Sequence, residues 1–237
     1  MQNDWLKDKA FAHRGLHSPQ KNIVENSMSA FDNAAQYGYG LELDVLLSKD
    51  NKAIVIHDET LDRLTHETGK IIEHSSSELS KINLRNSKDN IPTLKEVLDQ
   101  INGSVPILVE IKGDQEKFSE IAEAVFRDMK NYKGNIAVMS FYPEIISRFK
   151  TLSPNTLCGL VATSINDASL PTEYFDVNKQ ISLLNTVDFM AYDIRALPNN
   201  ATETYRKLGK PVLTWTVRSD QNRSKAKQYT DNIIFEL

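Results

Sequence analysis

Short runs rich in Val, Ile, Leu and Phe alternate with longer segments of helical apolar spacing along almost the whole chain. That alternation is the pattern of βα units feeding a parallel sheet. The apolar runs are Ala10–His13, Leu41–Leu47, Ala53–His57, Pro106–Ile111, Ile136–Phe141, Leu157–Val161, Val187–Tyr192, Val212–Val217 and Ile233–Phe235. Amphipathic segments lie between most of them: Glu25–Tyr37 puts Met28, Phe31, Ala34 and Ala35 on one face, and Lys117–Tyr132 does the same with Ile121, Ala124, Val125 and Met129. No composition shift marks a domain break. Nine runs, one of them the return arm of a hairpin, leave eight for a closed ring. The expected fold is therefore an α/β chain forming a TIM (β/α)8 barrel, with an open doubly wound sheet as runner-up. One domain is expected over residues 1–237, with a small insertion after the third strand-like run at about 59–90.

Two stretches break the alternation. Between Glu42 and His57 only Ser48-Lys49-Asp50-Asn51-Lys52 separates two apolar runs, too few residues for a helix, so a β-hairpin turning at Asp50-Asn51 is expected. A turn centred there makes paired positions sum to about 101 and sets His57 opposite Asp44, on the face that also carries Glu42. The second stretch, Glu59–Asn90, is a polar excursion before the helix Thr93–Ile101 and is longer than an ordinary connection.

Composition removes several classes. Lys and Arg total 28 against 32 acidic residues, a net charge of −4, which supplies no basic field for nucleic acid or anionic lipid. The lone Cys158 cannot form an internal disulfide, and no Cys/His cluster offers zinc ligands, so Cys158 reads as core packing. Met1–Lys9 lacks the apolar stretch of a signal peptide and no apolar run is long enough for a membrane span, so a cytoplasmic protein is expected. The sequons at Asn102 and Asn200 are then chance.

The ionisable residues inside the apolar runs are clustered by position: His13, Glu42, Asp44, His57, Glu110 and Lys112 all lie at or near the C-terminal ends of strand-like runs. That is the end where α/β barrels do chemistry. Burying such groups is costly unless they pair or hold a metal ion. Glu42, Asp44 and Glu110 make an all-carboxylate set suited to a hard divalent cation, Mg²⁺ or Ca²⁺. Lys112, two residues beyond Glu110, points to the same side and adds a positive charge for an anionic, phosphoryl-like centre. His13 and His57 supply one group to take a proton and one to give it.

Other chemistries fit less well. A triad hydrolase lacks its Gly-x-Ser-x-Gly, and the first strand reads His13-Arg14-Gly15 rather than the His-x-His of a zinc-type barrel hydrolase. A retaining glycosidase could use Glu42 with Glu110 but would leave the histidines and Lys112 idle. Gly38-Tyr39-Gly40 lacks the third glycine of a dinucleotide loop.

Phe11-Ala12-His13-Arg14-Gly15, Glu25-Asn26-Ser27 with Ala30-Phe31, Glu42-Leu43-Asp44-Val45 and His57-Asp58-Glu59-Thr60-Leu61-Asp62-Arg63 follow in order. Ile91–Leu98, Glu110-Ile111-Lys112, Ser140-Phe141 and Trp215-Thr216-Val217 continue the series. This ordered set resembles the glycerophosphodiester phosphodiesterases, which are phosphatidylinositol-phospholipase-C-like barrels. The resemblance implies metal-dependent hydrolysis of small glycerophosphodiesters to glycerol 3-phosphate and an alcohol. It makes Glu42, Asp44 and Glu110 the metal ligands, and His13 and His57 the acid/base pair, with His13 as base and His57 as acid. Arg14 and Lys112 would contact the phosphate, and Trp215 would line the glycerol pocket. Neither nucleic acid nor a stable membrane association is implied.

The chain departs from the family pattern in places. Val24 stands where Pro is usual and Ser27 where Thr is. Arg218 replaces the Asn that follows Trp-Thr-Val, and Ile233-Ile234-Phe235-Glu236 replaces a closing Ile-Ile-Thr-Asp. Two rival activities share the fold: cleavage of lipids, as a lysophospholipase D or sphingomyelinase D, and a barrel that binds glycerophosphodiesters without cleaving them. Of the remaining residues, His17, His66 and His74 read as loop residues, Asp58 and Arg63 as loop supports, and Tyr192 and Asp193 as further pocket lining.

Overall fold

All nine apolar runs are strands in the computed structural model, which describes residues 4–165 and 172–237. Residues 1–3 of the N-terminal stretch read for a signal segment lie outside these. The strands are β1 (Phe11–Ala12), β2 (Gly40–Leu47), β3 (Ala53–Val55), β4 (Ile107–Ile111), β5 (Ile136–Ser140), β6 (Leu157–Ala162), β7 (Phe189–Asp193), β8 (Val212–Val217) and β9 (Asn232–Phe235). Eight of them form one parallel sheet that closes through the pairing of β1 with both β2 and β9. β3 lies outside the ring, antiparallel to β2. The closed barrel is the fold expected from the alternation, and the open sheet is excluded.

Side chains alternate between the two faces of the barrel wall, as the period of a strand requires. The first helices are α1 (Trp5–Asp8), α2 (Met28–Gln36), α3 (Ser76–Leu79), α4 (Leu94–Ile101) and α5 (Phe118–Met129), and outward-facing Leu41, Leu43, Val45, Val109 and Val138 meet the buried faces of α2, α4 and α5. Phe11, Leu108, Met139, Val161, Phe189 and Leu213 form the inner cluster, closed at one end by Leu6 and Trp5. Its aromatic rings demand glycine opposite them. A Cβ on Gly40 would fall 2.5 Å from the Phe11 ring, and one on Gly159 would fall 2.3 Å from the Phe189 ring. Gly159→Ala is accordingly expected to cost about 1–3 kcal/mol through forced displacement of Phe189, measured as a lowered midpoint of thermal unfolding. An unchanged midpoint would show that the inner layer has slack.

Three sequence expectations require correction. The hairpin pairs Val45 with Val55, Leu46 with Ile54 and Leu47 with Ala53, a sum of 100 rather than 101. Asn51 takes a positive φ of 55° in the turn, shifting the centre by half a residue. In this register His57 would face Leu43, but the ladder ends at Val55 and His57 reaches its place from the loop beyond. Second, α2 begins at Met28 with Ser27 as its cap, its side chain accepting from the Ala30 amide, so Glu25 precedes the helix. Third, the excursion after His57 is not merely polar: Leu61, Leu64, Ile71, Leu79 and Leu84 pack with Leu46, Ile54 and Ile56 into a satellite core. No helix among the described residues is long and apolar enough to cross a membrane.

Candidate active site

Every residue singled out in the sequence for chemistry lines one cavity of about 680 Å³: His13, Arg14, Glu42, Asp44, His57, Glu110, Lys112 and Trp215. The strands explain the convergence. Glu42 and Asp44 are two apart on β2 and so share a side, and β4 lies beside β2 with Glu110 directly paired to Asp44. His13 follows β1, Lys112 follows β4, and Trp215 is carried by β8.

Glu42, Asp44 and Glu110 place one oxygen each within 4.8 Å of the others, and all three side chains are buried. Asp44 is well supplied with partners. Asn26 Nδ2 donates to its Oδ2 at 2.9 Å, Arg14 Nε lies 3.3 Å from the same oxygen, and Lys112 Nζ lies 3.8 Å from Oδ1. Burial opposes its charge, but Lys112, His57 and Arg14 outweigh that and hold its pKa well below the carboxylate range. Glu42 is in the opposite state. Its Oε2 accepts from the Arg14 amide at 2.8 Å, while Oε1 is buried with no hydrogen-bond partner. Burial and the neighbouring Asp44 and Glu110 push the Glu42 pKa far up. Burial and Asp44 likewise raise Glu110 to about 7.

Three buried carboxylates, one with an orphaned oxygen, are costly to keep ionised without a further positive charge. An all-oxygen donor set of this size fits a hard divalent cation. The cluster can therefore hold a metal ion, as its residue types suggest.

Both histidines spend Nδ1 on a carboxylate that is gripped in turn by an arginine. His57 Nδ1 lies 2.7 Å from Asp58 Oδ1, and Arg63 donates to Asp58 through Nε at 2.6 Å and Nη2 at 2.9 Å. Burial works against the Asp58 charge, yet these bonds bring its pKa down to about 2. Arg63 also donates twice to Glu25, whose Oε1 accepts from Arg14 Nη1 at 2.7 Å. A continuous ionic chain thus runs from His57 back to the carboxylate cluster. Burial, aided by Lys112 and Arg14, lowers the His57 pKa against the pull of Asp44 and Asp58. On the other side, His13 Nδ1 lies 2.5 Å from Glu236 Oε1, and Arg218 holds Glu236 through Nε at 2.6 Å and Nη2 at 2.8 Å.

An aromatic wall faces these groups. Trp215 donates its Nε1–H to the Ala191 carbonyl at 3.0 Å and meets Phe141 edge-to-face at 5.7 Å. Asp193 lines the cavity, whereas Tyr192 is fully buried and donates to Gln180. His17 is half-buried rather than solvated, and burial lowers its pKa.

Sequence reasoning gave no role to Asn26, Glu25 or Glu236. The one available signal was the polar pair Glu25-Asn26 directly before a helix cap. Asn26 takes a positive φ of 54° there, which turns its amide onto Asp44.

The Glycerophosphoryl diester phosphodiesterase family profile matches residues 13–235. A glycerophosphodiester phosphodiesterase of Caldanaerobacter subterraneus subsp. tengcongensis is 34% identical over 252 residues, covering 97% of this chain and 94% of that one. Among solved structures, a glycerophosphodiester phosphodiesterase from Thermotoga maritima superposes with a TM-score of 0.74 at 29% identity, covering 95% of this chain and 92% of that one. A phosphodiesterase from Oleispira antarctica, in complex with its product sn-glycerol-3-phosphate, superposes at 0.83. Its identity is 21%, with 98% of this chain and 93% of that chain covered, which bears on the fold alone. The chain belongs to the glycerophosphoryl diester phosphodiesterase family and, with it, to the phosphoric diester hydrolases.

Proposed function

We propose that this chain hydrolyses small glycerophosphodiesters to sn-glycerol 3-phosphate and an alcohol, with residues 1–237 acting as one catalytic domain. Glu42, Asp44 and Glu110 hold the divalent cation, Mg²⁺ or Ca²⁺, and His13 and His57 move the protons. The observation that carries this reading is the pairing of two carboxylate-backed histidines with a buried three-carboxylate cluster in one cavity. The 34% identity to a glycerophosphodiester phosphodiesterase, matched along nearly its whole length, supports the substrate assignment.

A bound cation supplies Lewis-acid stabilisation of charge growing on the phosphoryl oxygens. The chain's residues do the rest. Arg14 and Lys112 add fixed positive charge at the phosphate, and the Trp215 and Phe141 rings give the glycerol carbons an apolar face. His13, the more enclosed histidine at 10% side-chain exposure, serves as base on the glycerol side. It takes the proton from the attacking hydroxyl as the new P–O bond forms: attack by water gives glycerol 3-phosphate directly, and attack by the neighbouring glycerol hydroxyl gives a cyclic phosphate that water opens in a second step. His57, 30% exposed and nearer solvent, gives its proton to the departing alkoxide as the old P–O bond breaks. The negative charge of the bound diester opposes the lowering of the His57 pKa and favours its protonated form. Of the insertion's large apolar side chains only Ile72 is exposed, which favours deacylated head-group diesters over lipids.

The test is release of glycerol 3-phosphate from glycerophosphocholine, measured with Mg²⁺ or Ca²⁺ and again with EDTA. Cation-dependent release is expected. A folded protein that releases none from a panel of glycerophosphodiesters would overturn the reading.

A further inference from the structure

We propose that Glu236, clamped by Arg218, is the positioning residue of His13: it fixes the ring so that Nδ1 keeps its proton and Nε2 serves the reaction. The inference rests on the proposed role of His13. Glu236 is acceptor-only, so the 2.5 Å contact with Nδ1 requires that nitrogen to be the donor. The remaining ring nitrogen, Nε2, lies 4.0 Å from Glu42 Oε2, inside the cavity. With Nδ1 unpartnered, the imidazole would be free to turn or to hold its proton on the cavity side, where it could not act as a base.

Arg218 is more than half exposed, and an ion pair of that exposure adds little to stability. Its geometry makes sense as a clamp. It donates to both oxygens of Glu236, and Oε1 is the same atom that meets His13. Burial works against the Glu236 charge, but the bonds from His13 and Arg218 hold its pKa well below the usual range. The backbone is arranged for this contact. The β8–β9 ladder pairs Leu213 with Asn232 and Thr214 with Ile233, then slips by one residue so that Val217 pairs with Phe235. The slip brings the next residues, Arg218 and Glu236, alongside each other, and irregularities of this kind near active sites re-aim side chains.

The test is steady-state kinetics of Glu236→Gln, Glu236→Asp, Arg218→Gln, the double variant Arg218→Gln/Glu236→Gln and His13→Ala, together with the ¹⁵N shifts of the His13 ring. In Glu236→Gln, Arg218 claims the single amide oxygen, the amide nitrogen faces Nδ1, and the proton is forced onto Nε2. A drop in kcat of about 10²-fold with little change in KM is expected, as the wrong tautomer removes base catalysis. The ¹⁵N shifts should report protonation moving from Nδ1 to Nε2. The double variant should regain part of the loss, because without Arg218 the amide is free to turn its oxygen to His13. Glu236→Asp and Arg218→Gln should each fall between wild type and Glu236→Gln with the native tautomer retained. The proposal is overturned if His13→Ala is inactive while Glu236→Gln keeps near-wild-type kcat, or if folded Glu236→Gln keeps the native tautomer. Near-wild-type turnover in His13→Ala would instead sink the underlying role of His13. Should Glu236→Gln fail to fold, Arg218→Gln decides: wild-type kcat there overturns the clamp.

Discussion

His57→Ala is expected to lower kcat by roughly 10²–10⁴, the usual worth of a positioned acid or base, while leaving the fold in place. The fold should survive because His57 follows the end of β3 and its side chain is 30% exposed, so its removal opens no cavity in the core. Its partner Asp58 keeps the two bonds from Arg63 and is not stranded. The nature of the defect is as informative as its size. A diester with a p-nitrophenolate leaving group needs little protonation, so the His57→Ala defect should shrink on that substrate. The defect of His13→Ala should not. Equal defects on both substrates would refute the division of labour between the histidines, and wild-type turnover in His57→Ala would refute its role altogether.

Loss of the cation is expected to have an effect at least as large. Treatment with EDTA should reduce turnover to a trace, and Glu42→Gln should do the same while the cation is present. The two treatments should differ in stability. Without the cation the three carboxylates oppose one another, with Glu42 pushed towards its neutral form and its Oε1 unpartnered. A neutral amide in that place removes the burial cost and the repulsion from Asp44 and Glu110, which outweigh the attraction of Arg14, so the cation-free stability of Glu42→Gln should equal or exceed that of wild type. Adding Mg²⁺ or Ca²⁺ should raise the wild-type unfolding midpoint, by about 2.7 kcal/mol of stability at a hundredfold excess over the dissociation constant, and leave the variant almost unmoved. A wild-type protein whose midpoint and turnover ignore both cation and chelator would exclude the metal site.

The strands were legible because burial on a barrel wall writes itself into short apolar runs, and the carboxylate cluster was legible because charge inside such runs is unusual. Glu42, Asp44 and Glu110 could be joined without coordinates, since strand period and parallel order alone put them on one side. The hairpin register was not legible. Whether Asn51 or its neighbour takes the left-handed conformation decides it, and Asp50-Asn51 allows either. The start of α2 was misplaced because Glu25 suits a first helical turn, whereas its carboxylate is engaged by Arg14 and Arg63. Contacts between distant positions left no local pattern at all. Glu236 was noticed only as an unusual ending, and nothing in its neighbours points to a histidine 223 positions earlier.

The ring closes where β9 slides between β1 and β8, and the partner of His13 arrives with that last strand. During synthesis the three-carboxylate cluster is complete once Glu110 has been made, whereas the partner of His13 is made only with β9. On the proposed roles, a polypeptide terminated before β9 carries the carboxylate cluster without a seated base, and hydrolytic competence is expected only with barrel closure.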